Sequence, residues 1–243
     1  MDASPELGYY DALEFNAPLS TARADRLATA LAARRPRTIL DVGCGWGELL
    51  LRVVGRADGA TGTGIDVDGR ALERGRQNAS ARGLGERVQF LEGAAPTDAG
   101  PADLVICIGA DHAYGTQREA LHALSRLARA GGYALFGTGF WETAPSPQQA
   151  AAVDLTPEAL LSLDALVDSA VEAGFRPLRI ETANRDEWDA FESGYLADWE
   201  EWLHANRRHP AAAEIAERAN SHRRSWLAGY RNVLGFAYLT LGR

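Results

Sequence analysis

Three glycines at alternate positions, Gly43, Gly45 and Gly47, follow Asp41 in the stretch ILDVGCGWGELLL (39–51). Glycine tolerates positive φ and lets a ligand approach the main chain, so the sequence offers bare backbone beside a carboxylate. A dinucleotide fingerprint would place its third glycine at position 48, where Glu48 stands. A carboxylate at a helix start also competes with pyrophosphate for the positive helix end. All 25 basic residues are arginine; without lysine there is neither a phosphate-loop lysine nor a Schiff base. The pattern therefore asks for a nucleoside that lacks phosphates and accepts negative charge nearby, and Asp41 favours a cation. Asp66, closing GATGTGIDV (59–67), can accept hydrogen bonds from both hydroxyls of a ribose.

A second group of chemical residues lies in GADHAYG (109–115), with Asp111, His112 and Tyr114. An imidazole titrates near neutrality, at roughly 6.5, which makes His112 the best base in the chain. Asp111 could orient it or attract a cationic substrate; the competing reading is that these groups only brace the turn. His122 falls mid-helix, and His204, His209 and His222 fall in a later helical segment, none with metal-ligand spacing. No metal is expected. Cys44 and Cys107 are neither paired nor spaced as ligands, so a reducing cytoplasm is the expected compartment. The start, MDASPELGYYD, lacks the blocks of a signal peptide, and no run approaches the roughly 18 apolar residues of a membrane span. A formal charge of −8 argues against a nucleic-acid partner, whose binders carry a basic face. The pairs Arg34-Arg35, Arg207-Arg208 and Arg223-Arg224 read as solvated helix ends.

The elements that must position these residues alternate in period. Short apolar runs at 37–43, 59–67, 87–93, 101–110, 133–140 and 175–183 read as strands. Between them, helices are expected after Glu48, over 68–83, from the capping box Thr116/Glu119 to the glycine pair Gly131-Gly132, and over 163–173. This alternation predicts an α/β, doubly wound, mostly parallel sheet with helices on both faces. Right-handed crossovers then gather the carboxyl-end loops on one edge, where ligands bind. A leader (1–35) carries a helix from about Ser20 and forms a cap. The α/β core covers 36–184, with APSPQQAAA (144–152) as a linker. Residues 185–231 make a helical hairpin broken at RRHP, acidic in its first half and basic in its second, before a last strand at 232–243. An antiparallel last strand starts at the ligand edge, so the hairpin is expected to overhang the site.

S-adenosyl-L-methionine meets the demands of the glycine loop: an adenosine, no phosphate, a sulfonium and an ammonium. DVGCGWGELLL together with GIDVD, VQFLEG and DLVICIG resembles the class I S-adenosylmethionine-dependent methyltransferase family over roughly residues 37 to 140. FNAPLSTARADRL (15–27), GFWE (139–142) and the tryptophan-rich tail are similar to a bacterial subgroup of small-molecule methyltransferases. The resemblance implies a Rossmann-like sheet of seven strands whose seventh is antiparallel and slots between the fifth and sixth. It implies that Asp41, Gly43, Cys44, Gly45 and Gly47 line the methionine end of the cofactor, that Asp66 takes the ribose, and that Val67 covers one face of adenine. Where the family often has an aspartate after the third strand, this chain has Gly93, Ala94 and Ala95. Adenine is then read by the backbone of 93–95, or by Asp98; Gly109 completes the set.

An acceptor pocket is expected from leader, strand-end and hairpin residues: Tyr10, Phe15, Asn16, Tyr114, Phe140, Trp141 and Tyr195. A lidded mouth suits a small methyl acceptor with an oxygen or nitrogen nucleophile. The alternatives are an RNA or protein methyltransferase, an S-adenosylmethionine enzyme that cyclises without an acceptor, and a cofactor-sensing module without turnover. Nothing in the sequence sets an oligomeric state.

Overall fold

Alternate residues of the central strands are apolar on both sides, and both sides are buried. A computed structural model describes residues 7–97 and 100–243. Its strands are β1 (Thr38–Val42), β2 (Thr61–Asp66), β3 (Val88–Glu92), β4 (Ala102–Ile108), β5 (Ala128–Trp141), β6 (Arg176–Thr182) and β7 (Leu234–Gly242). They form one seven-stranded sheet in the order β3-β2-β1-β4-β5-β7-β6. The first five are joined in parallel, and β7 runs antiparallel between β5 and β6.

The helices α1 (Thr21–Ala32), α2 (Glu48–Arg56) and α3 (Gly69–Ala81) share one core with Ile39, Leu104 and Ile106. On the other face α4 (Gln117–Leu127) and α6 (Leu163–Glu172) pack on Leu40, Val105 and Cys107. Strand side chains alternate between faces, so the sheet is covered on both sides and its middle strands read as continuous apolar runs. Reversal of strand order between β1 and β4 opens the crevice where ligands of such sheets sit.

Two elements depart from the sequence reading. The helix expected to run to Gly131-Gly132 ends at Leu127, and β5 starts at once with Ala128 in extended conformation. Ala128 pairs with Ala102, and Arg129 with Asp103, whose carboxylate also accepts from the backbone of Arg37 and Thr38. Those partners on β4 outweigh one further helical turn. The linker at 144–152 contains a short helix, α5 (Pro147–Ala151), closed at its start by the Ser146/Gln149 capping box with proline in the first turn.

The hairpin consists of α7 (Arg185–Ala205) and α8 (Ala212–Arg224), the latter continuing into a π-helical turn, Ser225–Tyr230. Leu196, Ala219, Trp226 and Tyr230 pack with Trp141 and Ala150 in a separate cluster. Asn184 caps α7, and Glu187 closes the capping box. The same Glu187 accepts from the Ser20 hydroxyl at 2.6 Å and holds Arg23 of α1 through two hydrogen bonds, of 2.9 and 2.8 Å. The leader is thereby tied to the hairpin.

Candidate active site

The loop after β1 turns on three glycines in the left-handed region, Gly43 (φ 64), Gly45 (φ 54) and Gly47 (φ 63). Their reasons differ. A Cβ at Gly43 would collide with Ala110, and one at Gly47 with the Phe90 ring, so these two allow close packing. A Cβ at Gly45 would meet nothing within 4 Å, because that residue faces a crevice of about 260 Å3. Gly93 and Gly109 face the same space and are equally free of neighbours.

Two carboxylates form the crevice floor. Asp41, at the end of β1, is buried, and burial first, then the neighbouring Asp66 charge, push its carboxyl well above the ordinary carboxylate range. Asp66, at the end of β2, accepts from the Gly45 N–H at 2.7 Å and from the Asp68 N–H at 2.9 Å. Glu48 also borders the crevice, but its charge is met by Arg52 at 2.8 Å and Arg82 at 2.6 Å. Cys44 lines the wall as a neutral thiol, burial pushing its pKa up. Val67 is 73% exposed, an unusual state for a branched apolar side chain at a strand end, and it borders the same space.

The leader forms the roof. Phe15, Asn16, Ala17 and Leu19 line the crevice opposite the glycines. The strap is fastened through its main chain: Trp46 donates its indole N–H to the Glu14 carbonyl at 2.8 Å, and Arg74 donates to the carbonyls of Tyr10 and Leu13 at 3.1 and 2.8 Å. Arg74 also lies 4.1 Å from the centroid of the Trp46 ring. At the mouth, the 3-10 turn Asp111–Tyr114 puts His112 and Ala113 on the rim, with His112 exposed.

Of the residues singled out in the sequence, Asp41, Gly43, Cys44, Gly45, Asp66, Val67, Gly93, Ala95, Gly109, His112, Phe15 and Asn16 meet at this crevice. Gly47 stands behind it against Phe90, and Ala94 does not line it. Asp98 lies outside the described residues. Asp111 does not line the crevice, and burial pushes its carboxyl above the ordinary range. Tyr114 donates to the Pro96 carbonyl at 2.9 Å.

The expected acceptor walls at Phe140 and Trp141 are absent from the crevice. Phe140 is buried against Gly235, and Trp141 donates its indole N–H to the Pro157 carbonyl at 2.9 Å under the hairpin cluster. The Tyr10 and Tyr195 rings lie tilted against each other, 5.3 Å between centroids, in a neighbouring recess. Among the described residues the hairpin gives the crevice no wall at all; its aromatic side chains pack on one another, on the leader and on Trp141 and Phe236 of the sheet. Sequence reasoning missed Ile106 and Ile108, whose two-residue spacing on β4 puts both on the crevice side, and Leu19, one residue before the α1 cap.

Residues 39–132 match a methyltransferase domain family. The Escherichia coli protein YjhP is 28% identical over 92% of each chain, and its crystal structure superposes with a TM-score of 0.84, covering 96% of this chain and 98% of that one at 25% identity. A methyltransferase from Geobacter sulfurreducens, solved with S-adenosyl-L-homocysteine, has a TM-score of 0.86 at 26% identity, with 96% and 95% of the two chains covered. One from Thiobacillus denitrificans, with the same ligand, has a TM-score of 0.84 at 26% identity, with 96% of each chain covered. With the seven-stranded sheet, its antiparallel seventh strand and the glycine loop at the switch point, residues 39–132 carry a methyltransferase domain, and the chain is similar over nearly its whole length to S-adenosylmethionine-dependent methyltransferases.

Proposed function

We propose that the crevice binds S-adenosylmethionine and that the methyl group passes to an oxygen or nitrogen nucleophile of a small molecule. The observation that carries this reading is the floor: Asp41 and Asp66 converge beneath positive-φ backbone that is open at Gly45. The residues fit the cofactor. Asp66 retains acceptor capacity for ribose hydroxyls, exposed Val67 offers an apolar surface to a purine, and the main chain around Gly45 admits the methionine part. Gly93 and Ala95 border the purine side with backbone groups. The cofactor, when bound, supplies a methyl group on sulfur that leaves as a neutral thioether.

The protein's contribution is alignment and exclusion of water. Phe15, Ala17 and Leu19 roof the space with apolar groups, and Asn16 offers a polar contact to an acceptor. A volume of about 260 Å3 beneath a fastened strap admits a slim acceptor end and disfavours a duplex or a folded protein. His112, on the rim, accepts the acceptor's proton when the nucleophile is a hydroxyl or a protonated amine.

Calorimetric titration with S-adenosylhomocysteine tests the floor. Asp66→Ala should weaken binding by on the order of 1.5–3 kcal/mol, the worth of charge-assisted hydrogen bonds; equal affinity in the variant would overturn the ribose assignment. A panel of phenols, amines and carboxylic acids, assayed for S-adenosylhomocysteine product, then tests transfer to a small molecule.

A further inference from the structure

A second recess, of about 540 Å3, lies between the leader and α7 and shares no lining residue with the crevice. Its walls are aromatic: Tyr9 and Tyr10 from the leader, Tyr195 and Trp199 one turn apart on α7. Tyr9 and Tyr10 stand 5.1 Å apart, Tyr10 and Tyr195 5.3 Å, and Tyr195 and Trp199 5.9 Å with planes at 74°. Rings set at angles around one space present several π faces and edges to a single guest. The Tyr9 hydroxyl is already engaged, donating to Asp68, and the Tyr10 hydroxyl lies near Tyr195. What remains to the recess is largely ring.

The charge in the recess has one unmet sign. Asp198 lines it, and among the described residues no arginine or histidine lies within 4 Å of its carboxylate. Asp198 receives one N–H, from Asp11, at 3.3 Å. The Asp11 carboxylate is close by, since both carboxylates crowd the position a Cβ would take on Gly8. Among the described residues the one cation that lines the recess is Arg70, whose guanidinium lies 4.3 Å from the Tyr9 centroid and whose charge favours the ionised form of Asp68. On the outer side, Arg218 lies over Trp199 at 5.3 Å and His222 stacks on Tyr195 at 4.7 Å. These rings are therefore polarised platforms that attract cations wherever one is within reach.

We propose that this recess is a binding site for an alkylated ammonium ion, held by the Tyr10, Tyr195 and Trp199 rings and by Asp198, and separate from the cofactor crevice. A quaternary ammonium head has no N–H donors to satisfy. It suits a chamber walled largely by rings, and an anion opposite makes up for its lost hydration. An anionic guest would face Asp198 and Asp11, and a neutral one would leave them uncompensated.

Choline and its neutral carbon isostere, 3,3-dimethylbutan-1-ol, are the probes, titrated at fixed ionic strength into the full chain saturated with S-adenosylhomocysteine. Choline should bind, and about tenfold more tightly than the isostere. Asp198→Asn should weaken choline by about tenfold without altering the melting temperature or the isostere's affinity. Trp199→Leu should weaken choline more than the isostere, a result that a simple loss of apolar packing would not give. Equal affinities for choline and the isostere, an unaffected Asp198→Asn, or no choline binding at tens of millimolar would each overturn the site. S-adenosylhomocysteine product from the acceptor panel, assayed separately, is an independent readout, so failure here leaves the methyl-transfer reading standing, and the reverse.

Discussion

Asp41 is held protonated well above the usual carboxylate range by burial and by Asp66. The folded chain therefore binds this proton more tightly than the unfolded chain does. Its contribution to stability is fullest below the ordinary carboxylate value, about 3.9, and is lost as pH rises from there through the folded value. A cationic ligand reverses the balance by favouring the ionised form. Asp41→Asn should accordingly melt higher than the parent at neutral pH and alike in acid, while binding S-adenosylmethionine more weakly, by on the order of 1–3 kcal/mol. Thermal melts across pH, paired with calorimetry, check both halves; a parent and variant that melt together at neutral pH would discard the account. His112 makes a different prediction. His112→Ala should lower turnover by about 10²–10⁴, the usual worth of a general base, and free imidazole should restore part of it with cofactor affinity untouched. A brace of the turn would give no such rescue. The floor and the glycines were legible in sequence because their chemistry is local: a strand, a turn, an acid at a fixed place. The acceptor wall was not. Phe140, Trp141 and Tyr114 are close in sequence to the ligand edge, but each ring or hydroxyl finds a better partner inside, and spacing along the chain carries no record of that choice.

Glu187 joins two elements at one carboxylate: the start of α7, and α1 through its cap at Ser20 and through Arg23. Burial opposes its ionisation, but Arg23, the Ser20 hydroxyl and the N–H groups of Asn184 and Ser20 outweigh it and bring its pKa down to about 2, from 4.5. The sign is that of a depressed acid. Its stabilisation is complete above the ordinary glutamate value and disappears as pH falls from about 4.5 to about 2. Glu187→Gln should cost on the order of 3 kcal/mol at neutral pH, a fall of about 10 °C in melting temperature for a chain of this size, and almost nothing near pH 2. A pH-independent difference would place the loss in packing instead of charge. The strands and most helix ends were readable from period and capping residues. Ser20, Thr116 and Asp68 all cap the helices that follow them. The early start of β5 and the position of the hairpin were not readable, because pairing with Ala102 and the Glu187–Arg23 clamp join residues far apart in sequence.

The whole chain carries a formal charge of −8, and the Asp66 carboxylate stands in the crevice beside Asp41. A cleft lined by one sign of charge focuses the field along its axis and raises the encounter rate of oppositely charged ligands. S-adenosylmethionine carries a sulfonium, an ammonium and a carboxylate, a net charge of about +1, whereas its product has lost the sulfonium and is about neutral. The two ligands have nearly the same shape, so the field acts as a sorter of substrate from product. Salt should remove that sorting, since the screening length shrinks from about 30 Å at 0.01 M to about 3 Å at 1 M. The association rate of S-adenosylmethionine, followed through fluorescence of Trp46 at the crevice wall, should drop by about tenfold over that range. That of S-adenosylhomocysteine should change little. Raising salt therefore brings the two affinities together, and product inhibition should grow with ionic strength. Parallel salt slopes for the two ligands would mean that the molecule's net charge takes no part in cofactor capture.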